Sequence, residues 1–300
     1  HTISISAFLL NRSSDLRLII NSDGSAFHIH LKPEFLADKV ILVGDQNRVN
    51  LVASFFDEGS IECDVQSREF HTITGKYKGK RISCISTGIG TDNCDIVMNE
   101  IDALANIDFE TRTEKPVKRS LDIVRIGTTG SMQEDIPLGT FLASVTSIGF
   151  DGVLAFYEKR DEISDLEFEQ AFVDFVGYPH KAAVPYVVPS NPELVERIAG
   201  KDMTRGYTIA ANGFYGPQGR VLRVGVAVPD INEKISAFRY KGERITNYEM
   251  EGSCSAGLAL HMGHRAMTVC CVIAQRKSED ANTDYKPRLT ELVRTVLERI

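Results

Sequence analysis

The sequence predicts an α/β fold, a single-domain three-layer α/β/α sandwich with a mixed, partly barrelled central sheet. Three observations predict it. Short apolar strand patterns alternate with amphipathic helical patterns along most of the chain. No internal repeat or low-complexity tract divides it. Some strand patterns are long and alternate polar with apolar residues, Gly139–Ile148 among them, which argues for a mixed sheet over a purely parallel one.

Composition sets the bounds. The 300 residues are 43% hydrophobic and 25% charged, ordinary for a soluble globular domain. A net charge of -7 argues against a protein held to nucleic acid by its overall field, while leaving room for a local basic pocket. No apolar run is long enough to cross a bilayer. The six cysteines form no CxxC pair, and several lie in apolar runs where a thiol is a small hydrophobe. The expected compartment is the reducing cytoplasm. Residues 1–20 read as an N-terminal extension. Its apolar start lacks a basic region before it, so it fits a trimmed expression remnant as well as a signal. Residues 21–300 read as the folded domain.

The elements follow in order. Leu16–Ile20 is strand-like and runs to a polar turn. In Phe27–Leu31, alternation places His28 and His30 on one face of an extended segment. No carboxylate or cysteine pattern completes a metal site there, so no metal is assigned. Lys39–Gly44 is a buried strand, Val49–Phe56 a helix, Ile61–Val65, Phe70–Gly75 and Arg81–Ser86 strands, and Cys94–Leu104 a helix. Thr111–Ser120 is a charged surface excursion. Leu121–Gly127 is a strand running into Thr128 and Gly130. Leu166–Phe175 and Pro192–Ala199 are helices, and Tyr207–Ala211 is a strand. Ile245–Glu251 leads into helix Ser253–Met262, Ala266–Ala274 is an apolar strand, and Lys277–Asp284 is a polar loop. Pro287–Ile300 is an amphipathic closing helix.

Four stretches carry chemistry. Gly44-Asp45-x-x-Arg48 joins a strand to a helix start, where unpaired N–H groups and an arginine favour an anion. An ordinary turn reads the same way. Arg125 lies within an apolar strand, where a guanidinium needs either an anion or a buried carboxylate. Gly213–Arg220 combines Phe214, Gln218 and Arg220 on a glycine-rich loop, a set suited to a flat heterocycle with polar edges. Glu249 and Glu251, two apart before a helix, suit a polyol or a shared proton, or equally the helix dipole.

Six segments in order resemble the nucleoside phosphorylases, most of all their uridine-cleaving branch. They are Gly44-Asp45-x-x-Arg48, Ser67-Arg68-Glu69-Phe70, Ser86-Thr-Gly-Ile-Gly90, Arg125-Ile-Gly-Thr128, Phe214-Tyr-x-x-Gln218-x-Arg220 and Glu249-Met-Glu251. The resemblance runs from about His28 to the C-terminus. It implies that Gly44, Arg48, Arg125 and Thr128 hold inorganic phosphate as co-substrate. Arg68 and His28 would reach a neighbouring subunit's site, at phosphate and at the ribose 5′-hydroxyl. Met250 and Glu251 would hold ribose beside Glu249, and Gln218 and Arg220 would read uracil near Phe214. Arg276 would belong to a closing flap. The implied reaction is phosphate-dependent cleavage of uridine to uracil and ribose 1-phosphate, with no metal or organic cofactor. A homo-oligomer follows, a dimer favoured over a hexamer. Purine-cleaving relatives carry an aspartate after the apolar strand, where this chain has Ala274-Gln275-Arg276. Three departures concern loop shape: Gln46 stands where proline is usual, Gln275 where asparagine is common, and Gly252 where a larger residue is usual. The alternatives are a same-fold nucleosidase using water, a purine nucleoside phosphorylase and, last, a non-catalytic nucleoside-binding or storage protein.

Overall fold

The computed structural model describes residues 16–278 and 280–300. The remnant or signal reading of the first residues lies outside them. In chain order the elements are β1 (Lys39–Val43), α1 (Gln46–Ala53), β2 (Cys63–Ser67), β3 (Phe70–Tyr77), β4 (Lys80–Ser86), α2 (Thr91–Asn106), β5 (Ile107–Asp108), β6 (Thr113–Glu114), β7 (Asp122–Ser131) and β8 (Phe141–Gly149). There follow α3 (Leu166–Val176), β9 (Tyr186–Pro189), α4 (Pro192–Ala199), β10 (Thr204–Ala210), α5 (Ile231–Ala237), β11 (Arg239–Tyr240), β12 (Glu243–Glu249), α6 (Gly252–His261), β13 (Arg265–Gln275), β14 (Asp280–Ala281) and α7 (Lys286–Arg299).

Strand β1 shows why the fold has three layers. Its Ile41 and Val43 pack with Val49 and Val52 of α1, Leu194 and Ile198 of α4, and Leu292 and Val296 of α7. Its Val40 and Leu42 pack on the other face with Val97 and Ile101 of α2 and Leu258 of α6. Alternating side chains of a strand buried on both faces feed two cores. A third cluster, built on Phe168 and Phe172 of α3 and Ile231 and Ile235 of α5, covers the β12 edge.

The sheet is mixed, as expected, and partly closed. Its order is β11-β12-β10-β8-β13-β7-β1-β4-β3-β2, and an added β12–β7 pairing joins five strands, β7, β13, β8, β10 and β12, into a ring. The closing pairing has two rungs, Asn247 with Ser131 and Tyr248 with Gly130. A buried polar chain pins it: Asn247 Nδ2 donates to Thr129 Oγ1 at 2.8 Å, and Thr129 Oγ1 donates to the Tyr248 carbonyl at 2.5 Å.

Two expectations need correction, and two surface stretches carry short strands. Leu16–Ile20 is no strand; among its residues only Ile20 forms a bridge, to Ala26. The Asn21 side chain bonds Ser25 Oγ and the Ala26 carbonyl, which holds the segment as a loop. Phe27–Leu31 is a turn, not an extended segment, and His30 has φ 52°. The reason is Glu100 of α2, whose carboxylate accepts the N–H groups of His28 and Ile29 in place of a strand partner. The Thr111–Ser120 excursion contains β6, which forms a hairpin with β5. The Lys277–Asp284 loop contains β14, paired with the end of β13. The elements β9, α5 and β11 were not anticipated.

Candidate active site

The C-terminal ends of β1, β7, β12 and β13 open into one cavity of about 340 Å³, walled also by the loop after β10. Gly44, Arg48, Arg125 and Thr128, Glu249, Met250 and Glu251, and Phe214, Gln218 and Arg220 all line it. Each group comes from a different part of the chain, so its meeting is a product of the fold.

Arg125 is the centre of the site and is 4% exposed. Its Nη2 meets Glu251 Oε2, and its Nη1 lies 3.0 Å from Glu249 Oε2. Burial alone would lower its pKa, but the two carboxylates overcome that and hold it above the ordinary arginine value. The sequence left an anion or a buried carboxylate as its partner, and the chain itself supplies the carboxylates. Donor capacity remains: Nε has no acceptor among the described residues, and Nη1 meets Glu249 as an ion pair without an aligned hydrogen bond. A fixed guanidinium with spare buried donors is built to take a further acceptor. Gly127 makes room for it: a Cβ there would lie 2.5 Å from Arg125 Nη1.

The two glutamates divide their work. Glu249 accepts the Glu251 N–H at 2.9 Å and the Gly252 N–H at 2.9 Å, so it caps α6. This is the helix-dipole reading, realised for one carboxylate of the pair. Burial raises the Glu249 pKa, Arg125 opposes the rise and Glu251 adds to it. Glu251 instead spans the pocket. Its Oε1 accepts the Gly90 N–H at 2.7 Å while Oε2 takes Arg125. Gly90 has φ 99°, which favours glycine, and starts α2.

The Gly44–Arg48 turn differs from its expectation in one respect. Asp45 caps α1 itself, accepting the Asn47 N–H at 2.9 Å, so the helix start is less open than the sequence suggested. The positive charge comes from side chains. Arg48 Nη1 donates to the Ile126 carbonyl at 3.2 Å, and burial, then Arg125, lowers the Arg48 pKa. Both guanidiniums line the same cavity.

Gln218 is buried and accepts from two arginines. Its Oε1 takes Arg220 Nη1 at 2.6 Å and Arg276 Nη2. Arg276 Nη1 also donates to the Gln218 carbonyl at 2.8 Å, and the guanidinium lies 4.4 Å from the Tyr248 ring centroid. Burial, then Arg220, lowers the Arg276 pKa. Arg220 covers one face of Phe214, 3.8 Å from the ring centroid. The loop is thus a preorganised amide between two cations, beside an aromatic ring.

Three predicted residues do not line this cavity. Arg276 sits behind Gln218 and lines an adjoining cavity of about 800 Å³ that also touches Arg220 and Lys277. His28 Nδ1 lies 2.6 Å from Glu100 Oε1. Arg68 reaches over Phe27, 5.8 Å from its centroid, and the Phe27 and His28 ring centroids are 4.8 Å apart. Arg68 and His28 therefore share one surface, outside their own chain's pocket. The sequence reading assigned no site role to Asp45, Ile89, Thr129, Gly130, Tyr248, Ile273 and Ala274, which also line the cavity. Their signal was position alone, each lying near a strand end.

Arginines, paired carboxylates and an amide beside an aromatic ring thus meet in one cavity at the strand ends of an α/β sheet with a closed ring. The chain belongs to the Phosphorylase superfamily, whose family model matches residues 38–299. It is similar to a uridine phosphorylase of Thermococcus kodakarensis, 29% identical over 266 residues, 86% of this chain and 80% of the relative. A DeoD-type purine nucleoside phosphorylase of Aliivibrio fischeri is 26% identical over 85% of this chain and 88% of its own. The crystal structure of a Trypanosoma brucei nucleoside phosphorylase, reported to show uridine phosphorylase activity, superposes with a TM-score of 0.84 at 28% identity. It covers 94% of this chain and 98% of its own. A uridine phosphorylase of Phytophthora capsici shares the fold, with a TM-score of 0.66 at 23% identity over 93% of this chain and 95% of its own.

Proposed function

We propose that the protein is a pentosyltransferase that cleaves uridine with inorganic phosphate, giving uracil and ribose 1-phosphate. The observation that carries the reading is one cavity lined together by Arg48, Arg125, Glu251, Gln218 and Arg220. A phosphate oxygen attacks C1′ and forms the new C–O bond. The C1′–N1 bond breaks, and its electron pair leaves with uracil, which then takes a proton. Arg48 and Arg125, with Gly44 and Thr128, hold the phosphate dianion through forked donors. Glu251 orients the ribose hydroxyls with Met250 packing on the sugar. Arg220 and Gln218 stabilise the negative charge that grows on the departing base. Arginine supplies the charge at both ends, so the reaction needs no metal or organic cofactor.

A purine substrate is the weaker reading. In the segment where purine-cleaving relatives carry an aspartate, this chain has Ala274-Gln275-Arg276, with no acid, and Gln275 at its centre is held in place. Its Nε2 donates to the Gln133 carbonyl at 2.7 Å and its Oε1 accepts the Lys277 N–H at 2.9 Å, which ties it to the backbone. The acting unit is a homodimer in which Arg68 and His28 complete the partner's site, supported by their shared position away from their own pocket. Location in the cytoplasm is supported by six unpaired cysteines. No helix of the described residues is long and apolar enough to cross a membrane.

Uracil release from uridine, followed with and without phosphate, tests the reading. Release that requires phosphate and yields ribose 1-phosphate is expected. Equal release without phosphate, yielding free ribose, would move the protein to the nucleosidases.

A further inference from the structure

One side chain joins the start of α1 to the turn between β2 and β3. Gln46 Nε2 donates to the Arg68 carbonyl at 2.8 Å, and Gln46 Oε1 accepts from Gln66 Nε2 at 3.0 Å. Arg68 holds φ 54°, a conformation that a non-glycine residue keeps only where its surroundings impose it. The bonded group is the carbonyl of that same residue, so the amide fixes the peptide plane leaving it. The guanidinium forms no ion pair among the described residues and lies over Phe27. Helix α1 meanwhile carries Arg48, and Asp45 precedes it, both lining the cavity.

We propose that Gln46 is a positioning residue, tying the anion end of its own pocket to the β2–β3 turn and so aiming Arg68 outward at the phosphate of a partner subunit's site. The inference rests on the reading of the protein as a phosphorylase whose sites are completed across an interface. It makes the arrangement of one pocket and the reach of Arg68 toward the other parts of one rigid unit. The Gln66 bond orients the Gln46 amide, so its donor faces the turn and its acceptor faces β2.

Gln46→Pro removes the amide cleanly. Gln46 is the first residue of α1, where proline fits and the N–H has no intrahelical partner. Asp45 before it has φ -120° and ψ 130°, the extended conformation that a residue preceding proline prefers. Phosphate and uridine are varied separately in steady-state assays of the wild type, Gln46→Pro, Arg68→Ala and the double variant. Loss of one such hydrogen bond predicts a rise in phosphate KM of about two- to tenfold. The kcat and uridine KM should stay within about twofold. In the Arg68→Ala background the Gln46 change should add nothing, because it acts through Arg68. Gln46→Glu, which puts an acceptor against the Arg68 carbonyl, should raise phosphate KM at least as much. An unchanged phosphate KM in both Gln46 variants, or effects that multiply in the double variant, would overturn the link. A wild type that cleaves uridine equally without phosphate overturns the phosphorylase reading first, and this inference with it; that result comes before any variant is made.

Discussion

Replacing Glu251 by glutamine gives the sharpest test of the site, because the geometry fixes what the amide cannot do. One oxygen accepts the Gly90 N–H and the other meets Arg125. A glutamine that keeps the Gly90 bond turns its NH2 toward the guanidinium, donor against donor. A hydrogen bond to a charged group is worth about 1.5–3 kcal/mol. At about 1.4 kcal/mol per tenfold change, kcat/KM for uridine should fall about 10- to 150-fold. Arg125 keeps Glu249, so the stability loss should stay below the roughly 3–5 kcal/mol expected on breaking a buried pair outright. The discriminating assay compares uridine with 2′-deoxyuridine in both enzymes. If Glu251 bonds the 2′-hydroxyl, the substrate lacking it has already lost part of that interaction, and the mutation should cost it less. Contact residues couple by at least about 0.5 kcal/mol, so the uridine-to-deoxyuridine ratio should contract by about twofold or more. Equal slowing of both substrates would refute direct contact and leave Glu251 acting only through Arg125.

Three further outcomes are expected. Gly127→Ala should displace the Arg125 guanidinium, with a Cβ 2.5 Å from its Nη1, and lower kcat/KM on the order of 10²-fold with the fold retained; normal turnover in a folded variant would remove Arg125 from the centre of the site. Arg220→Leu should reduce uridine kcat/KM by about tenfold or more while phosphate affinity is kept, because Gln218 loses one of the cations on its Oε1; unchanged uridine kinetics would separate Arg220 from the base. Asp151 is half-buried with no ion pair among the described residues, accepting from Tyr186 and Ser253, and desolvation raises its pKa above the ordinary 3.8. A raised acid favours the fold when protonated, so its contribution is full below pH 3.8 and lost as pH rises through the raised value. The Tm of the wild type minus that of Asp151→Asn should therefore fall as pH climbs from about 4 toward neutrality, and a flat difference would show that Asp151 ionises normally.

The parts legible in the sequence were those whose cause is local. An arginine among apolar strand residues must have a partner, and Arg125 has two. Alternation along β1 sorts its residues between two cores, and the three layers follow. Gln218 and Arg220 lie two residues apart, so their contact needs no long-range fold. Illegible parts were decided from a distance. Glu100 takes the backbone of His28 from 72 residues away and turns an alternating segment into a bend. Arg276 reaches Gln218 across 58 residues, which no spacing rule connects. Gly127 looked like any strand glycine, and only the folded guanidinium beside it shows what its missing Cβ is for. The α5 helix is seven residues long beyond a glycine- and valine-rich stretch, too short for a period to register.

The ring in the sheet explains why the site can be exact with so few contacts. Arg125 sits on β7, and its carboxylate partners leave the end of β12. These strands are neighbours only because two rungs close the ring, and the rungs fall at Asn247 and Tyr248, immediately before Glu249. The Asn247–Thr129 bond lies at the same level and is buried. Any slip of β12 against β7 would carry both carboxylates off the guanidinium and strand three buried charges, a cost of several kcal/mol. Register and ion cluster therefore stabilise each other. Arg125 Nε has no acceptor among the described residues beside this cluster. Arg48 lines the same cavity and brings a second guanidinium to it.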